Sequence, residues 1–144
     1  MTKIFKFEAA HALEGYDGLC RYIHGHSYKL HVTVIGEPIV DNHSPKLGMV
    51  MDFGSLKKIV NEQIVDQFDH ATVLNSSTKL EQISKIEGLF DRKIVVDYQP
   101  TSENMLVDFA DRIKKELPEH VQLHHLLLYE TASSYAEWFA EDNV

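Results

Sequence analysis

The chain holds one cysteine, Cys20, four residues ahead of a His24-Gly25-His26 triplet. A lone thiol has no internal disulfide partner, and a thiol beside imidazoles points to metal binding or to acid–base chemistry. Residues two apart on an extended strand project to one side, so His24 and His26 point the same way. His11 ends an earlier stretch of alternating residues on a compatible face. Three imidazoles converging from paired strands can supply three nitrogens to Zn²⁺ and leave coordination open for water or substrate, as catalytic zinc requires. Gly25 would allow close approach of substrate or backbone. The simpler reading is a core histidine, His11, and a surface pair. Cys20 lies in a glycine-containing loop beside Arg21, where positive charge favours the thiolate. Fourth metal ligand, general base and plain loop cysteine are all compatible with its spacing.

Two further signals lie downstream. Asp69 precedes His70, and a carboxylate beside an imidazole can fix its tautomer and raise its basicity for proton transfer. Such neighbours also arise by chance. Glu130 ends the otherwise apolar stretch LLLYE. It is either a solvated strand end or a buried carboxylate whose two oxygens accept from a guanidine-like edge. His124 and His125 point to opposite faces and read as structural or interfacial. His31, His43 and His120 read as surface residues.

The elements that position these groups follow from periodicity. Lys3 to His11 alternates as a strand, with Phe5, Phe7, Ala9 and His11 on one face. From His24, alternation puts Tyr28, Leu30, Val32 and Val34 on the side of His24 and His26, and the two strands pair antiparallel. Asp52 is the expected N-cap of a helix with the stripe Phe53, Leu56, Val60 and Ile64, ending near Gln67. Residues 75–98 hold at most a short helix in STKLEQISKIEGLF and a short strand in KIVVDY. PTSEN opens a second helix, capped by Thr101 or Ser102, with Leu106, Phe109, Ile113 and Leu117 as its stripe and Pro118 as its stop. VQLHHLLLYE and SSYAEWFA supply two more strands. The order is β-β-α-α-β-β, an α+β fold with an antiparallel sheet and two helices on one face.

With 144 residues the chain is expected to form a single domain, 1–144, without internal repeats. Its formal net charge of -8 disfavours a phosphate backbone, so no nucleic-acid partner is expected. A small anion in a local basic pocket remains compatible with that charge. No apolar run approaches a membrane span, and the first residues alternate rather than forming a signal peptide, so no membrane partner is expected. One free cysteine agrees with a reducing, cytoplasmic setting.

FEAAH, CRYIHGHSY, GMVMDF, FDHATVLN, PTSEN and YET occur in that order. The ordered set resembles the 6-pyruvoyltetrahydropterin and 6-carboxytetrahydropterin synthase family from about residue 5 to about residue 135. The resemblance implies the tunnelling fold, in which such units assemble as homo-trimers or hexamers around a barrel with active sites between subunits. It implies a Zn²⁺ cofactor on His11, His24 and His26, a proton-transfer set of Cys20, Asp69 and His70, and Glu130 as pterin anchor. Thr101 and Ser102 match the segment that helps to hold the pterin. The short Cys-x-x-x-His-Gly-His loop favours the carboxy branch, which serves queuosine and deazapurine synthesis. That branch is a carbon-carbon and carbon-oxygen lyase acting on 7,8-dihydroneopterin triphosphate; the pyruvoyl branch is the alternative. Residues 37–47 and 75–98 depart from the compact pattern and read as insertions. No residue corresponds securely to a triphosphate-binding position, and Arg21 and Lys29 are the nearest cations in sequence.

Overall fold

A computed structural model describes residues 1–83 and 88–144. Six strands form one sheet in the order β4-β3-β1-β2-β5-β6. They are β1 (Thr2–His11), β2 (His24–Gly36), β3 (Ala71–Asn75), β4 (Lys93–Val96), β5 (Val121–Tyr129) and β6 (Tyr135–Phe139). The pairs β1–β2, β2–β5 and β5–β6 are antiparallel, as alternation implies. β3 and β4 add a parallel extension beside β1. The strand expected in KIVVDY is β4, whereas β3 has no counterpart in the expected order. It is short, and its pairing is reached through a crossover that local periodicity does not encode. A bulge at Thr33/Val34 interrupts the β2–β5 register.

One face of the sheet is covered by helix. α1 (Phe53–Val60) begins at Asp52, whose side chain accepts from Gly54 N–H at 2.6 Å. It continues through a π-helical segment (Asn61–Val65) into the short α2 (Asp66–Phe68). Leu56, Val60 and Ile64 are fully buried, but Phe53 is 54% exposed, contrary to its place in the expected stripe. It opens the helix beyond the core, where Lys3 Nζ lies 5.9 Å from its ring. α3 (Leu80–Ile83) lies within the stretch expected to hold a short helix; residues 84–87 of that stretch lie outside the described residues. α4 (Ser102–Lys114) is capped by Thr101, and Leu106, Phe109 and Ile113 are buried as its spacing implies. No helix among the described residues is long and apolar enough to cross a membrane.

The core between sheet and helices is aromatic where it backs the histidines. Phe7 stacks on Tyr28 at 5.2 Å between centroids, and Phe68 meets Phe109 edge-on at 4.9 Å. His31, expected at the surface, is half-buried on the opposite face with Nε2 shielded and without a hydrogen-bond partner. Its strand neighbours account for the shielding: its ring lies 5.8 Å from that of Tyr129. Burial, then the positive charge of Lys29 and the nearby His125, lower its pKa from the ordinary imidazole value. Phe109→Ala removes a fully buried ring from the contact between α4 and β1, and should cost about 3–5 kcal/mol in urea unfolding at fixed protein concentration. Phe53→Ala should cost less than about 1 kcal/mol in the same measurement.

Candidate active site

The register of β1 on β2 places the histidines. His11 is directly opposite His24, and Ala9 is opposite His26, so His26 is the diagonal neighbour of His11. Alternation turns all three rings to the helix-covered face. One ligand nitrogen from each lies within 4.8 Å of the others. Ring centroids are 4.5 Å apart for His11 and His24, 5.1 Å for His11 and His26, and 5.0 Å for His24 and His26.

Backbone carbonyls settle two tautomers. His11 Nδ1 lies 2.7 Å from Pro100 O, and His24 Nδ1 lies 2.7 Å from Tyr22 O. A carbonyl oxygen only accepts, so each Nδ1 carries the proton and each neutral ring presents its Nε2 lone pair. Those two Nε2 atoms face each other at 3.0 Å. Two acceptors at that distance repel unless a proton or a metal cation lies between them. His11 is 2% exposed, and burial holds its pKa below the ordinary 6.5, which disfavours the extra proton. Burial likewise lowers His26, with the Glu130 carboxylate opposing the shift. His26 Nε2 is shielded and lacks a hydrogen-bond partner: Glu130 Oε1 is 3.2 Å away but outside hydrogen-bond geometry. The three residues are placed to hold a metal ion, and a bound cation would satisfy all three nitrogens.

Glu130 follows the end of β5, and Ser102 Oγ donates to its Oε2 at 2.7 Å. The PTSEN segment therefore serves the site three times. Pro100 orients His11, Thr101 caps α4 by accepting from Asn104 N–H at 3.3 Å, and Ser102 holds Glu130. Cys20, half-buried in a 3-10 turn (Leu19–Arg21), lines a cleft of about 290 Å³ together with His11, Tyr16, Ser102, Glu130 and Tyr135.

Asp69 and His70 are elsewhere. They follow α2, with His70 Nδ1 3.1 Å from Asp69 Oδ2. His70 takes a left-handed backbone, φ 61°, which carries a cost for any residue with a side chain. The corner is held from two sides. His70 N–H donates to Glu8 O at 2.6 Å, and Glu8 N–H donates to Asp69 Oδ1 at 2.9 Å. That backbone donor is the main cause that lowers the Asp69 pKa from its ordinary value. Arg92 donates to Asp69 O at 2.7 Å and to Asp66 O at 2.6 Å. His70 lines a second cleft, of about 300 Å³, with Glu8, Ala10, Gly25, Ser27 and Thr72, and His26 of the histidine cluster also borders it. Strand alternation puts Glu8, Ala10, Gly25 and Ser27 on the face away from the three histidines. Within one chain, Cys20 and the Asp69–His70 pair line different clefts.

A family model described as 6-pyruvoyl tetrahydropterin synthase matches residues 1–141. The chain belongs to this family. It is 34% identical over 140 residues to 6-carboxy-5,6,7,8-tetrahydropterin synthase of Haemophilus influenzae, covering 96% of each chain. It is 32% identical over 139 residues to the protein of the same name in Rickettsia felis, covering 94% of this chain and 96% of the relative. Among solved structures, 6-pyruvoyl tetrahydropterin synthase of Caenorhabditis elegans superposes with a TM-score of 0.67 at 24% identity over 97% of this chain and 94% of that one. A Wolinella succinogenes protein superposes with a TM-score of 0.74 at 19% identity over 97% of each chain. The fold is thus that of the family, as the ordered motifs implied.

The family motifs did not reveal the carbonyls of Pro100 and Tyr22 or the guanidinium of Arg92. The first two are backbone groups, which no residue type announces. Arg92 lies in the stretch whose elements had no clear period.

His24→Ala should abolish metal retention on gel filtration, with the metal read by elemental analysis and the fold by circular dichroism. An acid titration should release metal as pH falls below the ordinary imidazole range, because burial lowers His11 and His26 and protons compete for the same lone pairs only there. Retention at pH 5 equal to that at pH 8 would contradict imidazole ligation.

Proposed function

We propose that the chain is a zinc-dependent 6-carboxy-5,6,7,8-tetrahydropterin synthase. It converts 7,8-dihydroneopterin triphosphate, with water taken up, to 6-carboxytetrahydropterin, acetaldehyde and triphosphate. The observation that carries this reading is the convergence of His11, His24 and His26 beside a carboxylate, Glu130, with His11 and Glu130 lining a cleft that also holds the chain's one thiol, Cys20. Near-full-length similarity to proteins named for this reaction supports the carboxy branch. The downstream role would be queuosine or 7-deazapurine synthesis in the cytoplasm.

Each residue has a task that its surroundings suit. Glu130, steadied by Ser102, accepts from the amino group and ring N–H of the pterin, two donors meeting two oxygens. Thr101 keeps the start of α4 against the pterin edge. His11, His24 and His26 would hold Zn²⁺, which when bound would supply Lewis-acid polarisation of side-chain oxygens. Cys20 takes and returns protons at the side-chain carbons from its side of the cleft. His70, its tautomer fixed by Asp69, does so from the other. The lyase reaction is internally balanced and uses no redox cofactor.

Cys20 and His70 line different clefts of one chain, so the complete site joins two copies, and the active species is a homo-trimer or hexamer. Residues 37–47 and 75–98 are insertions in the single domain 1–144, and Arg92 ties the second of them to the Asp69 corner. A second reading keeps the substrate but yields 6-pyruvoyltetrahydropterin; the description of the family model favours it.

Mass spectrometry of the products from zinc-loaded protein and 7,8-dihydroneopterin triphosphate, without oxygen, decides between them. Carboxytetrahydropterin with acetaldehyde is expected; a pyruvoyl product would move the protein to the other branch. Glu130→Ala should weaken pterin binding at least tenfold while metal content stays that of the unaltered chain. Cys20→Ala and His70→Ala should each be inactive alone and regain activity when co-assembled. No recovery would show that one chain completes its own site.

A further inference from the structure

On the face of the sheet away from the helices, Lys6 of β1 stands directly opposite Lys29 of β2. Like charges facing each other across a strand pair destabilise it. Among the described residues neither ammonium has a carboxylate oxygen within 4.0 Å. The chain carries a formal net charge of -8, so acidic side chains are plentiful, yet among the described residues none reaches this pair. Lys29 is held in place, its Nζ 4.5 Å from the centroid of the Tyr129 ring.

Both lysines line a cleft of about 320 Å³ with Glu8, Ser27, Tyr129 and Thr131. Ser27 Oγ donates to Glu8 Oε2 at 2.7 Å, so that carboxylate is engaged and the serine proton is spent. Thr131 Oγ1 accepts from Ser133 N–H at 3.4 Å, which leaves its hydroxyl hydrogen to donate. The groups that face the cleft are therefore two ammoniums, a hydroxyl donor and the Glu8 carboxylate, a set with net positive charge in which the ammoniums and the hydroxyl suit anionic oxygens.

The cleft adjoins that of His70, since Glu8 and Ser27 line both. His70 is bonded to Glu8 O, and Lys6 precedes Glu8 by two residues, about 7 Å along the strand. We propose that Lys6 and Lys29, with Thr131, form the subsite for the polyphosphate tail of the substrate whose reacting carbons lie beside His70. The assignment rests on the proposed reaction for the identity of the substrate. It rests on this face of the sheet alone for the class of ligand, a condensed phosphate.

The test uses the metal-loaded protein and two probes: inorganic tripolyphosphate by calorimetry, with metal content checked afterwards, and 7,8-dihydroneopterin triphosphate by steady-state kinetics. Lys6→Ala and Lys29→Ala should each weaken tripolyphosphate about tenfold, and the pair more. Both side chains point away from the core, so metal content and circular dichroism should match the unaltered chain. Lys6→Arg with Lys29→Arg should restore most of the binding. In kinetics the alanine variants should raise KM with little change in kcat, and affinity for dephosphorylated 7,8-dihydroneopterin should not move.

Tripolyphosphate binding unaffected by the alanine variants would overturn the subsite. So would orthophosphate displacing tripolyphosphate at equal concentration, which would mark a general anion site. If the unaltered protein binds tripolyphosphate through these lysines but turns over no pterin, the subsite stands as a condensed-phosphate site and the proposed reaction falls.

Discussion

Two imidazole nitrogens that both accept, 3.0 Å apart, constrain everything at this end of the molecule. The constraint comes from outside the rings, because Pro100 O and Tyr22 O take the Nδ1 protons of His11 and His24 and leave the lone pairs facing inward. Burial then makes a proton a poor bridge and a metal cation a good one. Both carbonyls must stay where they are for this to hold. Pro100 sits at the entrance to α4, so the docking of that helix through Leu106, Phe109 and Ile113 is also what orients His11, one of the three histidines placed to hold a metal ion. Core packing and site chemistry are coupled through a single hydrogen bond.

The β1–β2 pair presents different chemistry on its two faces. His11, His24 and His26 turn toward the helices, where Tyr28 and Phe7 close the core beneath them. Glu8, Ser27, Lys6 and Lys29 turn the other way. A shift of register by one residue would exchange the two sets, burying lysines and exposing imidazoles. The apolar residues in the middle of each strand, Phe5, Phe7, Leu30 and Val32, prevent that slip, because each is buried on one side only. Stability of the ordinary hydrophobic kind thus sets which chemistry faces which cleft.

The Asp69–His70 corner shows how a costly conformation persists. A left-handed histidine after a helix would normally be replaced by glycine. Here the backbone of Glu8 holds it on one side and Arg92 clasps the preceding carbonyls on the other. The π-helical segment that leads into α2 lies immediately upstream, and such segments are frequent at functional sites because they re-aim the residues beyond them.

Much of this was legible in the residues. Alternation marked β1 and β2 and the faces of their side chains, because a half-buried strand writes its burial into every second residue, and the last two strands were read where β5 and β6 lie. Spacing of three and four marked α1 and α4, and their caps at Asp52 and Thr101 were in place. The ordered motifs marked the family and the candidates His11, Cys20, His24, His26, Asp69, His70, Thr101, Ser102 and Glu130. What the sequence by itself determined was therefore local periodicity and the kinds of side chain available for chemistry. Only the tertiary structure decided which groups meet. β3 pairs through a crossover, Phe53 lies past the edge of the core its stripe implied, and the carbonyls of Pro100 and Tyr22 carry no residue signature. The separation of Cys20 from His70, and the meeting of Lys6 with Lys29, are products of register and layer. Those arise from long-range pairing and burial, which no short stretch of sequence contains.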